Sequence, residues 1–445
     1  MSQPSDKRSS KLSSLGRRDF LLGRSFFRHC ESPTASRADS ANPANPPVGS
    51  KNLPRWKDQD NPLSTGQQTA YWQTYSKRAM ACQFEILLNF GQYAWAAATI
   101  EQAFQLVDQL EAQLTVYRDD SEVSLINRIA SQTGVSIETG LFDLLQVAVE
   151  IHQQTNGAFD ITADPLSHIW GFKQRQFNFP DPAAIEAARK QVGSDKIILD
   201  SDLRTVQFTQ DRLAINLGAI GKGYAIDRVA TLMRRHGLAD FVVHGGQSSA
   251  LAIGSDSAHS NTPREQVPSF PPVDKPSISA DITSNNMANN VSNDGWRIGL
   301  SHPVLPNRKL CDINLRDSAM ATSGTARQGF YHQGKRYGHI IDPRTGWPAD
   351  NFLSTTVICS SAARADALAT AFHCMSLDEV SQFCAIHPKV KVILVNYSKA
   401  STTGQVSEAE ENAEMDIHNL PGNDPFGLFR LRTFNLDADD LIPLD

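Results

Sequence analysis

The residues best suited to chemistry are a carboxylate and a hydroxyl in a helix-like segment, Asp366 and Thr370. They follow a strand-like run, Leu353–Cys359, and they share one helix face with Ala369 because residues i, i+3 and i+4 point the same way. Near a helix start the backbone dipole favours anions, so this pair could hold a hard cation together with a phosphate. The simpler alternative is an Asp that only compensates the helix dipole.

A second phosphate-binding candidate is the glycine-rich turn Gly218–Tyr224, which follows a predicted strand and opens a predicted helix. A Walker A loop would need glycine in place of Asn216 and a Ser or Thr after Lys222, and neither is present. Such a turn still lets the backbone approach a ligand and aim N–H groups at a phosphate. Tight packing alone would explain it equally well.

Polar, glycine-rich segments recur beside predicted strand ends. They centre on Asp160, Lys222, Gly246, Ser323, His339 and Asp366. The loop 158–172 is dense in polar and aromatic side chains, which is more typical of a functional loop than of a simple connection. The sequence has no Ser-His-Asp signature, no HExxH motif and no paired cysteines. The set therefore suits a pyrophosphate held by backbone groups and one hard cation.

Hydrophobic periodicity predicts the elements that position these segments. Helices are predicted over Trp95–Tyr117 and around Leu141–Ile151, the second ending at the turn formed by Asn156 and Gly157. Strands are predicted at 80–88, 197–199, 205–208, 212–217, 241–244, 251–254, 296–300, 310–315, 321–325, 337–346, 353–359 and 390–395.

Composition divides the 445 residues into a folded domain and polar segments. The domain is expected over 71–400, with a disordered insertion at 255–294 and a polar tail over 401–445 that packs little. The net charge of −6 leaves no basic footprint, so nucleic acid is not an expected partner. The six cysteines show no metal-ligand spacing and are expected to be buried hydrophobic residues.

Residues 1–70 are predicted to be a signal-like N-terminus followed by a disordered linker. Gly16–Leu22 resembles a twin-arginine export signal, but Arg24, Arg28 and His29 interrupt its apolar part. No run reaches the roughly 18–20 apolar residues of a transmembrane helix. A soluble protein is expected, either exported to the periplasmic side or cytoplasmic.

Taken in order, these segments resemble the ApbE family of flavin transferases, the FAD:protein FMN transferases. The resemblance covers about 75–397 and rests on Met80–Phe84, Tyr117–Asn127, Gly157–Thr162, Trp170–Phe172, Asn216–Asp227, Gly245–Gly246, Thr322–Gly324, His339–Gly346 and Ala365–Thr370. It implies an α+β fold, ApbE-like and T-fold-related, with mixed sheets and packed helices. It also implies an Mg²⁺-dependent reaction in which FAD gives FMN to a Ser or Thr of an acceptor flavoprotein and AMP leaves.

The resemblance also assigns roles by position. The FAD site would be lined by Met80, Tyr117, Ala158, Phe159, Asp160, Asn216, Lys222 and Ile340. The Mg²⁺ ligands would be Ala219, through its carbonyl, together with Asp366, Ala369 and Thr370. His339 is the candidate base for the acceptor hydroxyl, since a neutral imidazole can accept a proton near pH 7, and Asp160 is the competing base.

The chain departs from the family pattern at a few positions. Ala81 and Cys82 stand where the family usually has Gly and Thr, and Asn216 stands where it usually has Asp. An amide keeps the hydrogen bonding but lacks the negative charge. The metal ligands are all retained, so an active enzyme is expected. An FAD pyrophosphatase that yields FMN and AMP, or a non-catalytic FAD-binding protein, are the alternatives.

Overall fold

The structure is a computed structural model that describes residues 72–256, 295–305, 308–325, 328–397, 429–437 and 440–442. The helices are α1 (Ala97–Leu114), α2 (Glu122–Ile129), α3 (Thr139–Gln154), α4 (Asp164–Ile169), α5 (Pro182–Arg189), α6 (Gly221–Arg235), α7 (Ala362–Cys374) and α8 (Leu377–Ile386). The strands are β1 (Trp72–Ala79), β2 (Cys82–Asn89), β3 (Val135–Ser136), β4 (Ile197–Asp200), β5 (Thr205–Phe208), β6 (Phe241–Gly245), β7 (Ser249–Ile253), β8 (Trp296–Ser301), β9 (Lys309–Leu315), β10 (Ser318–Gly324), β11 (Gly329–His332), β12 (Lys335–Gly338), β13 (Ser354–Cys359), β14 (Lys391–Tyr397), β15 (Phe429–Phe434) and β16 (Leu441–Ile442).

One antiparallel sheet dominates the fold. Its eight strands lie in the order β1-β2-β6-β7-β10-β13-β14-β15. Smaller sheets have the orders β16-β9-β8, β3-β5-β4 and β11-β12. Strands that pair with neighbours remote in sequence, together with helices packed on a sheet face, make this an α+β fold. The predicted fold class is confirmed.

Alternation along β10 shows how the large sheet is covered on both faces. Ala319 and Ala321 lie in the core that includes residues of α6 and α7, whereas Met320 lies in a second core with residues of β8 and β9. Successive side chains of a strand point to opposite faces, so a run of small and apolar residues here serves two cores at once. The central strands are therefore covered on both faces, and the residues at their ends extend from a buried sheet.

Three strand predictions are wrong in detail. Of the strand predicted over 337–346, only residues 337–338 lie in a strand, because the chain then forms a turn in which the N–H groups of Thr345 and Gly346 donate to the carbonyl of Asp342. Residues 80–81 form the turn between β1 and β2 rather than the first part of a strand. No strand forms over 212–217, because the backbone N–H of Ile215 donates to the Asn127 side chain and that of Asn216 donates to the Ile161 carbonyl. Hydrogen bonds outside any strand ladder thus replace the expected pairing. The predicted helices and the predicted hairpin of β4 and β5 are confirmed.

The end of the chain contributes more to the fold than the sequence predicted. β15 pairs with β14 along Phe429–Phe434, and β16 pairs with β9. Leu431 and Leu441 are buried in the second core. The expectation of a tail that packs little is therefore wrong for the described residues 429–437 and 440–442. Alternating apolar residues in 429–434 were the sequence signal for this strand.

Several predictions fall outside the described residues. These are the N-terminal segment 1–70 and most of the insertion at 255–294. At the insertion's base, the N–H of Asp256 donates to the carbonyl of Gly295 at 3.3 Å, so its two ends lie side by side. No helix in the described ranges is both long enough and apolar enough to cross a membrane.

Ala81→Gly is expected to stabilise the protein. Met80 and Ala81 form a two-residue turn with φ of 48° and 59°, a conformation that glycine adopts without strain. The free energy of unfolding should rise by about 1 kcal/mol in denaturant titrations. Ala98→Gly, in an exposed position of α1, is the control and should lower it by about 1 kcal/mol. A loss of stability in both variants would contradict the turn geometry.

Candidate active site

A cleft of about 610 Å³ opens where the ends of several elements meet. It is bordered by the start of α4, the turn before α6, the end of β10 and the second turn of α7. The cleft lining includes most of the residues predicted from the sequence: Ala158, Phe159, Asp160, Asn216, Ala219, Lys222, His339, Ile340, Asp366 and Thr370. Residues scattered over more than half of the described domain therefore meet at one place.

Asp366 is the most heavily engaged charge in the cleft. Lys222 Nζ donates to its Oδ1 and Oδ2 at 3.0 and 2.8 Å, and the Ser249 hydroxyl donates to Oδ1 at 3.0 Å. The backbone N–H of Gly223 donates to Oδ2 at 3.2 Å. Because Asp366 is only 6% exposed, these donors must replace the water that it would otherwise bind.

The start of α7 is fixed by a second aspartate. Asp227 on α6 accepts hydrogen bonds from the N–H groups of Ala362 and Ala363 at 2.8 and 3.0 Å and from the Ser361 hydroxyl at 2.8 Å. Burial raises the pKa of its carboxyl above the ordinary value despite these bonds. Asp227 thus satisfies free N–H groups of the first helical turn and ties α6 to α7.

Gly223 allows the two helices to approach closely. A Cβ at this position would lie 2.1 Å from the carbonyl oxygen of Ala362 and 2.7 Å from the Cα of Ala363. Only glycine leaves room for this helix contact. The contact brings Lys222, next to Gly223, within reach of Asp366 on the second turn of α7.

The oxygen atoms around Asp366 suit a hard cation. The Thr370 hydroxyl and the Asp366 carboxylate both border the cleft, as does Ala219. Among the described residues no hydrogen bond is found to the carbonyl of Ala219, which precedes the N-cap residue Ile220, and the N–H of Gly223 donates to Asp366. Oxygen-only donors of this kind fit Mg²⁺. No group of three or more His, Cys, Asp and Glu side chains suited to a metal occurs in the described ranges, so any cation here would depend on backbone and hydroxyl oxygens as well.

Asp160 holds its own loop together. Its carboxylate accepts hydrogen bonds from the N–H and hydroxyl of Thr162 at 2.7 and 2.6 Å and from the N–H and hydroxyl of Ser194 at 3.0 and 2.7 Å. His152 Nδ1 lies 3.2 Å from Oδ2. Burial raises the pKa of Asp160, but these partners outweigh it and hold the pKa below its ordinary value. The carboxylate is thus a poor proton acceptor.

His339, unlike Asp160, is suited to accept a proton. Its Nδ1–H donates to the carbonyl of Gln328 at 3.3 Å, which fixes the tautomer and leaves the lone pair on Nε2. Burial lowers the pKa of this imidazole, and the hydrogen bond to Gln328 only partly opposes the effect. The ring is therefore neutral at pH 7, which is the form that accepts a proton.

Asn216 orders the mouth of the cleft. Its Nδ2 donates to Oδ1 of Asp164 at 3.0 Å, and its Oδ1 accepts from the N–H of Gly218 at 3.0 Å. Lys173 Nζ completes the set, 2.8 Å from Asp164 Oδ2. An ionised Asp at position 216 could not donate to Asp164 and would repel it. The amide is therefore matched to the partner that this chain provides.

Three of the predicted site residues do not border the cleft. Met80 lies in the β1–β2 turn, Tyr117 is 78% exposed beside Lys173, and Ala369 is fully buried in α7. Ser249, in contrast, was not predicted, and Ser323 was singled out only as the centre of a polar segment. Ser249 binds Asp366, and the Ser323 hydroxyl lies 3.2 Å from that of Thr370. Their position at the site-facing ends of β7 and β10 was the signal that could have revealed them.

Hard oxygen donors, a lysine ammonium and a glycine-rich helix start in one cleft define a class of site suited to polyphosphate ligands. Sequence comparison makes the assignment specific. The model of the ApbE family matches residues 80–267 and 277–394, so the chain belongs to the ApbE family.

Two similar curated proteins are both named FAD:protein FMN transferase. The FAD:protein FMN transferase of Vibrio cholerae is 29% identical over 270 residues, which cover 60% of this chain and 70% of the relative. That of Klebsiella pneumoniae is 29% identical over 289 residues, covering 64% and 78%.

Solved structures support the fold. The ApbE protein of Thermotoga maritima superposes with a TM-score of 0.59 at 23% identity, covering 73% of this chain and 94% of that one. The flavin transferase ApbE of Vibrio cholerae gives a TM-score of 0.59 at 24% identity, covering 77% and 99%. At this level of identity the likeness bears on the fold alone.

Proposed function

We propose that this protein transfers FMN from FAD to the hydroxyl of a Ser or Thr in a flavinylation motif of an acceptor protein, with AMP as the second product and Mg²⁺ as the cofactor. The observation that carries the proposal is the convergence of Asp366, Thr370, Lys222 and Ala219 in the cleft that also contains His339. The names of the curated relatives agree with it.

The proposed reaction is a phosphoryl-type transfer. The acceptor oxygen attacks the phosphorus of the FMN half, the bond from that phosphorus to the bridging oxygen breaks, and AMP leaves with the bridging oxygen. The proton of the hydroxyl passes to Nε2 of His339. A bound Mg²⁺ would neutralise charge on the diphosphate and stabilise the leaving phosphate.

Different residues of the cleft have different roles in the proposed reaction. Asp366, Thr370 and the carbonyl of Ala219 would hold the cation, and the ammonium of Lys222 would bind phosphate oxygens. Asp160 keeps the loop that carries Ala158 and Phe159 in place and is not needed as a base. Because the imidazole of His339 borders the cleft, is neutral and has its Nε2 lone pair available, we assign it the role of base.

The rate of transfer should therefore depend on pH through His339. Its neutral form is active, and its pKa lies below the ordinary 6.5, so the rate should be constant above pH 6.5 and fall only in more acidic solution. AMP release in the presence of acceptor, measured against pH, gives the profile. A rate that still rises steeply above pH 7 would show that another group is the base.

His339→Gln is the matching variant, because its amide can keep a hydrogen bond to Gln328 but cannot accept a proton. It should lose about 10²-fold or more in transfer rate while FAD affinity changes little. Unchanged flavin transfer by His339→Gln or His339→Ala would remove this residue from the mechanism.

Product analysis with and without acceptor tests the proposed function against its alternatives. Purified protein is incubated with FAD and Mg²⁺, and FAD, FMN and AMP are separated by chromatography. Transfer predicts AMP in amounts equal to the flavin bound to acceptor and little free FMN. Equal free FMN and AMP without acceptor would indicate a pyrophosphatase. Tight FAD binding without any AMP would indicate a binding protein.

A further inference from the structure

The carboxylate of Asp366 has no oxygen free for a new ligand. Oδ1 accepts from Lys222 and Ser249, and Oδ2 accepts from Lys222 and the N–H of Gly223. A cation that binds this carboxylate must displace at least one of these donors or share an oxygen with it. The mode of cation binding therefore depends on which donor the cation displaces from Asp366.

Lys222 is the donor best able to leave. The N–H of Gly223 is held by the backbone of α6, and the Ser249 hydroxyl sits on a buried strand end at 3% exposure. The side chain of Lys222 is 25% exposed, borders the cleft and has a flexible four-carbon stem. It is also a cation, and like charges at the same carboxylate repel each other.

We propose that Lys222 and the divalent cation are alternative counter-ions of Asp366, and that Lys222 moves to the diphosphate of FAD when the cation binds. This inference rests on the proposed function. Without ligand, the ammonium neutralises a carboxylate that is only 6% exposed. With FAD present, the phosphates give the ammonium a new partner, which frees Asp366 for the cation. Each ligand therefore strengthens the binding of the other beyond their direct contact.

The competing explanation is a permanent bridge. In that case the pair of Lys222 and Asp366 only ties α6 to α7, and the cation binds beside it. Removing the ammonium would then leave the affinity for the cation unchanged, or lower it by loosening the helix contact. For the FAD-free protein without this ammonium, the exchange therefore predicts tighter cation binding, and the permanent bridge predicts unchanged or weaker binding.

Titration with Mn²⁺ distinguishes the exchange from the permanent bridge. The FAD-free protein is titrated, and binding is measured by calorimetry and by the paramagnetic signal of the free ion. Lys222→Met keeps an unbranched side chain, one atom shorter, without the charge, and Lys222→Gln is a second variant should the first not fold. We expect binding to become about tenfold tighter, equivalent to about 1.4 kcal/mol. Unchanged or weaker Mn²⁺ binding in folded variants would overturn the exchange.

Lys173→Met is the matched control. Lys173 also pairs with a carboxylate at the cleft, 2.8 Å from Asp164, and its side chain is 29% exposed against 25% for Lys222. Its removal changes the net charge equally but leaves Asp366 untouched. The control should therefore alter Mn²⁺ affinity less than twofold. An equal gain in both variants would show a general charge effect and overturn the exchange.

Reciprocal titrations compare the coupling between FAD and Mg²⁺ in the wild-type protein and in Lys222→Met. In the wild-type protein, FAD should tighten Mg²⁺ binding by the same factor by which Mg²⁺ tightens FAD binding, and this factor should shrink in Lys222→Met. An equal factor in both proteins would overturn the exchange while the proposed function stands. Failure of every one of these proteins to bind Mn²⁺ or Mg²⁺, with and without FAD, would overturn the cation site of the proposed function itself.

Discussion

Asp366→Ala is expected to abolish Mg²⁺-dependent release of AMP from FAD while the protein stays folded. The variant removes the only carboxylate of the proposed cation site and the partner of Lys222. A metal ion contributes several kcal/mol to stabilising a charged transition state, so a loss of about 4 kcal/mol, or about 10³-fold in rate, is expected. Chromatographic measurement of AMP against time gives the rate, and circular dichroism confirms the fold.

Asp240→Asn is the control for this variant. Asp240 is equally buried, at 8% exposure against 6%, and accepts hydrogen bonds from Tyr93, Gln92 and the N–H of Ser255. It lies at the far end of the strands, beside the base of the insertion. Its loss should lower stability but leave the rate per folded molecule near the wild-type value. Full activity in Asp366→Ala would mean that Asp366 is ordinary helix core.

Gly223→Ala is expected to damage both stability and activity. The new Cβ would lie 2.1 Å from the backbone oxygen of Ala362, which cannot move without shifting α7. Overpacking of this kind costs about 3 kcal/mol in the free energy of unfolding. Because Lys222 and Asp366 sit on the two displaced helices, the rate should fall by about 10²-fold or more.

Gly221→Ala, two residues earlier in α6, tests whether the effect is local to the helix contact. A Cβ there would meet its nearest neighbours at 3.8 Å, an ordinary contact distance. The free energy of unfolding should change by less than about 1 kcal/mol. Denaturant titrations and AMP release on both variants provide the comparison. Equal behaviour of the two alanine variants would contradict the close approach of α6 and α7 at Gly223.

Local patterns predicted local features well. The i, i+4 spacing placed Asp366 and Thr370 on one face, and the structure puts both beside the cleft. Ser361 caps α7 by accepting from the N–H of Arg364, a role that is typical of a serine just before a helix. These features depend on neighbours within one helical turn, which the sequence displays directly.

Contacts between residues remote in sequence could not be predicted from local patterns. Lys222 is 144 residues before Asp366, and Ser249 is 117 residues before it. Their meeting depends on how α6 crosses α7 and on the order of strands in the sheet. The strand prediction for 212–217 was wrong for the same reason. The backbone there is hydrogen-bonded to Asn127 and Ile161, and hydrophobic periodicity does not reveal these partners. The role of Asp160 also needed coordinates, because Ser194 and His152 saturate its carboxylate.

The measurement that tests the central claim most directly is intact mass spectrometry of an acceptor domain. A domain with a Ser or Thr flavinylation motif is co-expressed with this protein, with FAD and Mg²⁺ available, and Asp366→Ala serves as the inactive partner. We predict that the acceptor gains one FMN less one water with the wild-type protein and nothing with the variant. An acceptor that stays unmodified beside the folded wild-type protein would contradict the account.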